Sequence, residues 1–105
     1  MINSLYNKEY LNGKVILITG GTGTLGNKLT EILLKNYKVK NIIIFSRDEY
    51  KQSMMQEKFG KDKYPMMRYF LGDIRDPDRL DYAFRNVDII FHTAALKQVP
   101  ALEYN

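Results

Sequence analysis

Hydrophobic positions along the chain alternate between short unbroken runs and segments in which they recur three and four residues apart. The runs Val15-Ile16-Leu17-Ile18, Ile42-Ile43-Ile44-Phe45 and Ile89-Ile90-Phe91 are each bounded by polar residues. Runs of this kind suit parallel strands buried on both faces. They predict strands at 14–19, 41–45 and 88–93, and Pro65 and Gly72-Asp73 bracket another at 66–71. Between the strands lies helical spacing. Leu25, Leu29, Ile32 and Leu33 share one face of a helix over 24–37, with Lys28, Glu31 and Lys35 elsewhere. A second helix over 49–59 turns Met54, Met55 and Phe59 inward and stops at Gly60, with Met66 and Met67 as further core filler. Asp76-Pro77, an N-cap followed by proline at the first helical position, opens a third helix whose stripe is Leu80, Ala83, Phe84 and Val87. A short leading helix over 3–11, with Tyr6 and Tyr10 on one side, ends at Asn12-Gly13. A last helical turn runs toward Asn105.

Strand and helix alternate three times before a fourth strand, which is the order of an α/β chain with a parallel sheet. The expected architecture is a Rossmann-type doubly wound sheet of about four strands in spatial order 3-2-1-4. Such a domain normally adds strands beyond the fourth, so the sheet is expected to be incomplete. The fourth strand then forms an edge open to pairing with another chain, and a homo-oligomer is expected.

Composition narrows the classes. At 105 residues with 45% hydrophobic and 27% charged residues, the chain is sized for one globular domain with a modest core. It has no cysteine and one histidine, His92, so disulfides and thiolate zinc sites are excluded and a histidine-based metal site is not expected. The apolar runs are too short to cross a bilayer, and the N-terminus lacks the pattern of a signal peptide, so no membrane association and a cytoplasmic location are expected. The net charge of +4 comes from lysines interleaved with acids, which reads as solvated helix faces plus a local anion site rather than a nucleic-acid surface.

The candidate chemistry lies between the first strand and the first helix, at Thr19-Gly20-Gly21-Thr22-Gly23-Thr24-Leu25-Gly26. Gly21-x-Gly23-x-x-Gly26 has the dinucleotide-binding spacing, and Gly20, Gly23 and Gly26 form a variant one residue wider. Strand, glycine turn and helix supply the context that gives this motif its meaning. Its glycines permit a tight turn, close approach to a pyrophosphate and close helix–sheet packing. The helix N-terminus offers unpaired N–H groups and partial positive charge, so Thr22, Gly23, Thr24 and Leu25 are expected to line the cradle. A P-loop is excluded because Lys28 stands one place too late after Gly26. Tyr10 and Lys14 have the Tyr-x-x-x-Lys spacing of a dehydrogenase acid/base pair, but they straddle a glycine turn and share no helix face. That match is a decoy.

The position about twenty residues past the last glycine separates NAD from NADP. It reads Ser46-Arg47-Asp48-Glu49-Tyr50-Lys51. Arg47 offers a planar donor fork to a 2′-phosphate, Ser46 a hydroxyl and Lys51 further charge, which favours NADP. The alternative is a surface Arg47 with Asp48 taking the ribose of NAD. Asp73 and Ile74, at the end of the third strand, stand where adenine is expected: Asp73 to accept from the amino group and Ile74 to pack on the ring, unless they merely form a turn. Thr93, Ala94 and Ala95 end the fourth strand where the nicotinamide ribose passes, and Lys97 is placed to bond its hydroxyls. His92 reads as a packed strand residue.

Four segments together carry a family resemblance: Thr-Gly-Gly-Thr-Gly-Thr-Leu-Gly, Phe-Ser-Arg-Asp-Glu-Tyr-Lys-Gln, Gly-Asp-Ile-Arg-Asp and Thr-Ala-Ala-Leu-Lys-Gln-Val-Pro. The chain resembles the extended short-chain dehydrogenase/reductases and, within them, the inverting UDP-N-acetylglucosamine 4,6-dehydratases of the polysaccharide-biosynthesis group. The first segment is common to the superfamily; the second and fourth are narrower. The resemblance implies an NADP-dependent lyase acting on a UDP-sugar. In such enzymes hydride leaves C4 of the sugar, water is lost across C5 and C6, hydride returns to C6, and C5 is inverted. It implies that Thr22 to Leu25 cradle the pyrophosphate and Ser46 to Lys51 wrap the adenosine phosphate. It further places Asp73 and Ile74 at adenine, and Thr93 and Lys97 at the nicotinamide ribose. The family's catalytic Tyr-x-x-x-Lys helix and sugar-binding region have no counterpart among these residues, so residues 1–105 read as the front of the cofactor domain, inactive alone. Another extended short-chain epimerase or reductase, or a nucleotide-binding module without chemistry, would share the same front half.

Overall fold

The computed structural model describes residues 8–93. Within them the elements are a short 3-10 helix, Lys8–Leu11, then β1 (Val15–Thr19), α1 (Thr24–Asn36), β2 (Asn41–Ser46), α2 (Glu49–Lys58), β3 (Met67–Leu71), α3 (Pro77–Ala83) and β4 (Ile89–His92). The four strands form one parallel sheet in the order β3-β2-β1-β4. This is the expected α/β architecture and strand order. Register aligns Thr19 with both Phe45 and His92, and Ser46 with Leu71, so all four strands end along one edge. After β3 the chain crosses back over the sheet to β4, and the reversal opens beside the end of β1. Ligands of open α/β sheets bind at such a switch point.

Residues of the unbroken runs point alternately to two faces, and each face has its own core. Ile16 and Ile18 of β1, Ile42 and Ile44 of β2 and Met67 of β3 pack with Leu33 of α1 and with Met55 and Phe59 at α2. On the other face Leu17 and Phe45 pack with Ala83 of α3, joined by Leu80, Phe84, Val87 and Ile90. Burial on both sides explains why the runs are unbroken rather than alternating with polar residues. At the opposite edge the Asp88 carboxylate accepts from Val15 N at 2.8 Å while Asp88 N donates to Val15 O at 2.9 Å, locking the starts of β1 and β4 together.

The cap expected at Asp76 is found, and Asp48 supplies another. The Asp48 side chain accepts from Lys51 N at the start of α2, and that of Asp76 accepts from Arg79 N at the start of α3, with Pro77 in the first turn. Gly13 turns the chain into β1 with φ of 75°. Asn86 takes φ of 62° between α3 and β4; asparagine tolerates this left-handed conformation, and here it breaks the helical stripe before Val87.

Three expectations change. The buried stripe of α1 is Gly26, Thr30 and Leu33, whereas Leu25 and Ile32 are 46% and 40% exposed. The smallest residue, not the most hydrophobic, decides which side meets the sheet, because only glycine allows the approach found at Gly26. Met54 is 50% exposed and is not core filler, unlike Met55 and Met67, which are buried. The described part of the leading helix is a single 3-10 turn, and Tyr10 on it is exposed. Tyr6 and the predicted final turn lie outside the described residues. Among the described residues no helix is long and apolar enough to cross a membrane, and no cluster of three metal-ligating side chains occurs.

Candidate functional site

The turn after β1 is built from its glycines. Gly20 N donates to Phe45 O, and Gly23 N donates to Gly20 O at 3.1 Å, closing the loop tightly with Gly20 at φ of 65°. A Cβ on Gly21 would stand 2.9 Å from a methyl of Ile44, and one on Gly26 would collide with the backbone of Gly21. These two close approaches let α1 start directly above the strand ends. Gly23 caps α1 without any side-chain hydrogen bond, and the first turn carries no acidic residue. The leading N–H groups of a helix have no intrahelical acceptor, and among the described residues no carboxylate bonds to them here. Asn27 Nδ2 holds the loop from below, donating to Thr22 O at 3.1 Å and Gly23 O at 2.9 Å. The result is a braced turn beneath an uncapped helix start, the local geometry that suits an anion.

A cavity of about 480 Å3 opens beside this cradle. Gly20, Thr22 and Gly23 form one wall, and Ser46 at the end of β2 forms the second with Arg47, Asp48 and Lys51 beyond it. The third wall is Gly72, Asp73, Ile74 and Arg75, after β3, and Phe45 supplies an apolar floor. Phe45 is stacked on Phe70 with ring centroids 5.6 Å apart, and a Cβ on Gly72 would come within 3.0 Å of the Phe45 ring, so the floor depends on that glycine too. Small-molecule sites combine such a mostly apolar concavity with a few placed polar groups. An uncapped helix start, a glycine-lined approach and cations on the opposite wall thus surround one apolar concavity.

The individual side chains divide. Arg47 extends from the end of β2 with 70% of its side chain exposed, its Nη1 3.6 Å from Asp73 Oδ2. Ser46 is buried, and its hydroxyl accepts from Asp48 N at 3.3 Å and from Gln52 Nε2 at 3.3 Å. It braces the turn that presents Arg47 while lining the cavity wall. The Asp48 carboxylate serves as the α2 cap, accepting from Lys51 N at 2.9 Å. Asp73 is gripped by Arg75: Oδ1 accepts from Arg75 N and Nε at 2.9 and 3.1 Å, and Oδ2 accepts from Nη2 at 2.7 Å. Arg75 above all, through these hydrogen bonds, holds the Asp73 carboxyl well below the usual carboxylate range, with a smaller contribution from Arg47. Ile74 is exposed at the rim, available to a flat ring.

Other expected residues lie apart. Thr24 borders a neighbouring groove between α1 and α2 with Tyr50, Lys51 and Met54. Leu25 turns its side chain outward and Gly26 lies beneath Gly21, so both contribute backbone only. Glu49 and Tyr50 are on the exposed side of the first turn of α2. The Thr93 hydroxyl donates to Thr19 O at 2.6 Å and Gly20 O at 2.9 Å, tying the end of β4 to the end of β1. Ala94, Ala95 and Lys97 lie outside the described residues. Two contributors had no assigned role in the sequence analysis. Arg75 lay within the Gly-Asp-Ile-Arg-Asp segment, and Gln52, buried in α2, donates to Ser46 O, Ser46 Oγ and Phe70 O, joining the ends of β2 and β3.

His92 is a buried strand residue whose Nδ1 shares a 2.7 Å hydrogen bond with Thr19 Oγ1. Burial pushes its imidazole pKa down. The unfolded chain therefore binds the proton first as pH falls below about 6.5, so the stability from a neutral His92 is complete above that value and declines beneath it. Urea denaturation is expected to give a lower unfolding free energy at pH 5.5 than at pH 7.5, with most of the difference removed in His92→Gln. Asp73 and Glu31, whose pKa values are also lowered, lose their contributions only below their ordinary values of 3.8 and 4.5, outside this window.

The profile of the polysaccharide biosynthesis protein family matches residues 16–105. Over 94 residues the chain is 55% identical to a UDP-N-acetylglucosamine 4,6-dehydratase (inverting) of Campylobacter jejuni, covering 90% of this chain and 27% of that protein. It is 45% identical over 94 residues to a UDP-glucose 4-epimerase of Rickettsia bellii, covering 87% of this chain and 27% of the relative. The crystal structure of Pen from Bacillus thuringiensis superposes with a TM-score of 0.73 at 43% identity, over 91% of this chain and 28% of that one. The chain thus spans a little over a quarter of the length of the proteins it matches. On the extent of the profile match and these identities, the chain belongs to the polysaccharide biosynthesis protein family.

Proposed function

We propose that residues 1–105 are the NADP-binding segment of a nucleotide-sugar 4,6-dehydratase of the UDP-N-acetylglucosamine class. The observation that carries this reading is the cavity in which an unblocked helix N-terminus faces Arg47 and Lys51 across an apolar floor. Backbone N–H groups at Thr24 and Leu25 receive the pyrophosphate, with Gly20 to Gly23 permitting its approach. Arg47 and Lys51 hold the 2′-phosphate, and Ile74 covers the adenine. Asp48 is committed to the α2 cap, which argues against its serving as the ribose acceptor of an NAD enzyme. When bound, the nicotinamide accepts and returns the hydride of the dehydration. The segment's own residues bind and orient that cofactor. Of the relatives described above, the dehydratase shares more of the sequence than the epimerase, and this favours dehydration over epimerisation. The same resemblance points to surface-glycan synthesis.

Amide resonances of the 15N-labelled chain test the binding mode. Addition of NADP+ is expected to move Gly23, Thr24, Leu25, Arg47 and Ile74 and to leave Lys38, Lys61 and Asn86 in place. Changes confined to residues away from the cavity, or no changes, would contradict the proposal.

A further inference from the structure

Resting on the NADP reading, we propose that Arg75 is a positioning residue that sets the cavity's preference for a 2′-phosphate by drawing the Asp73 carboxylate away from Arg47. Two arginines face one carboxylate here. Arg75 takes it with its backbone N–H and with Nε and Nη2, the shortest contact being 2.7 Å. Arg47 reaches the same carboxylate only at 3.6 Å, beyond hydrogen-bonding distance. The remaining carboxylate of the cavity wall, Asp48, is turned onto Lys51 N. Among the described residues Arg47 thus lines the cavity with only a loose ion pair to Asp73 and no hydrogen bond from its donor fork.

The electrostatic consequence is direct. Asp73 with Arg47 alone would sum to zero charge beside the phosphate position, and the carboxylate would repel the incoming dianion. Adding Arg75 leaves the trio at +1 and fixes the negative oxygens toward the third wall. If Arg75 were lost, Asp73 would close on Arg47 and the 2′-phosphate would have to break that pair before binding. NAD+, with a hydroxyl in place of the phosphate, would be little affected. Arg75 is 76% exposed and contributes to neither core, so its replacement leaves the fold intact.

Calorimetric titration of the 105-residue chain with NADP+ and with NAD+ at low ionic strength, for wild type, Arg75→Gln and the double variant Asp73→Asn/Arg75→Gln, tests this. Arg75→Gln is expected to lower the NADP+:NAD+ affinity ratio about three- to fivefold, the scale of an exposed ion pair. Added salt should shrink the change, because exposed charges are screened. The double variant should restore the ratio, since the carboxylate that competes for Arg47 is gone; any loss of adenine contact at Asp73 affects both cofactors alike. An unchanged ratio in Arg75→Gln, with wild type preferring NADP+, would overturn this inference and leave the proposed function standing. A lowered ratio that the double variant fails to restore would make Arg75 a direct phosphate ligand and overturn its positioning role. Absence of any NADP+ preference in wild type would defeat the proposed function and this inference with it.

Discussion

Gly26→Val is expected to lower the unfolding free energy by about 3 kcal/mol or more and to abolish cofactor binding, the largest effect of any single substitution at the glycine turn. A Cβ at this position meets the backbone of Gly21 rather than the end of a flexible side chain, so no rotamer change relieves it. Relief would require α1 to lift from the sheet, opening the contacts of Thr30 and Leu33 beneath it, both fully or nearly fully buried. Against a total stability of about 5–15 kcal/mol for a domain, that is a large fraction. Gly23→Ala is the control. Its Cβ would stand 3.5 Å from Gly20 O, an ordinary contact, and its φ of −77° suits any residue. Urea denaturation of the two variants checks this, and equal stability of Gly26→Val and wild type would show that α1 does not depend on the close approach.

The second large effect belongs to Arg47. Charge-assisted hydrogen bonds contribute about 1.5–3 kcal/mol each, so Arg47→Ala is expected to weaken NADP+ binding roughly 10- to 100-fold. NAD+ binding should change little, because the pyrophosphate cradle and adenine wall are untouched. The variant should also flatten the salt dependence of NADP+ binding. With its side chain 70% exposed, Arg47 is not part of the core, and melting temperature should be unaffected. A loss shared equally by NADP+ and NAD+ would move Arg47 from the 2′-phosphate to another part of the cofactor.

Much of this organisation was legible in the sequence because it arises from local patterns. Unbroken runs such as Ile42-Ile43-Ile44-Phe45 report two buried faces, and alternation with helices then leaves few topologies for a parallel sheet. Asp76-Pro77 announces a helix start through capping chemistry that needs no distant partner. The features that escaped depend on tertiary neighbours. Leu25 looked like a core residue by spacing, but the close contact of Gly26 with Gly21 rotates α1 and turns Leu25 outward. The bracing of Ser46 could not be read from the sequence: its hydroxyl accepts from Gln52, whose amide also reaches Phe70 O across the β2–β3 boundary. The Thr93 hydroxyl meets carbonyls more than seventy positions earlier in the chain, a pairing that only the β1–β4 register creates. Asp73 and Arg75 are near neighbours in sequence, but their mutual grip became visible only once the turn after β3 was in place.

In the function proposed above, this glycine turn and Arg47 together form a site for an adenine dinucleotide bearing a 2′-phosphate. Equilibrium titration of the wild-type chain with NADP+ and, separately, NAD+ tests it most directly. Both are expected to bind, with NADP+ tighter by about tenfold or more, the contribution of a single charge-assisted contact. Equal affinity for the two cofactors, tighter NAD+ binding, or binding of neither would contradict it.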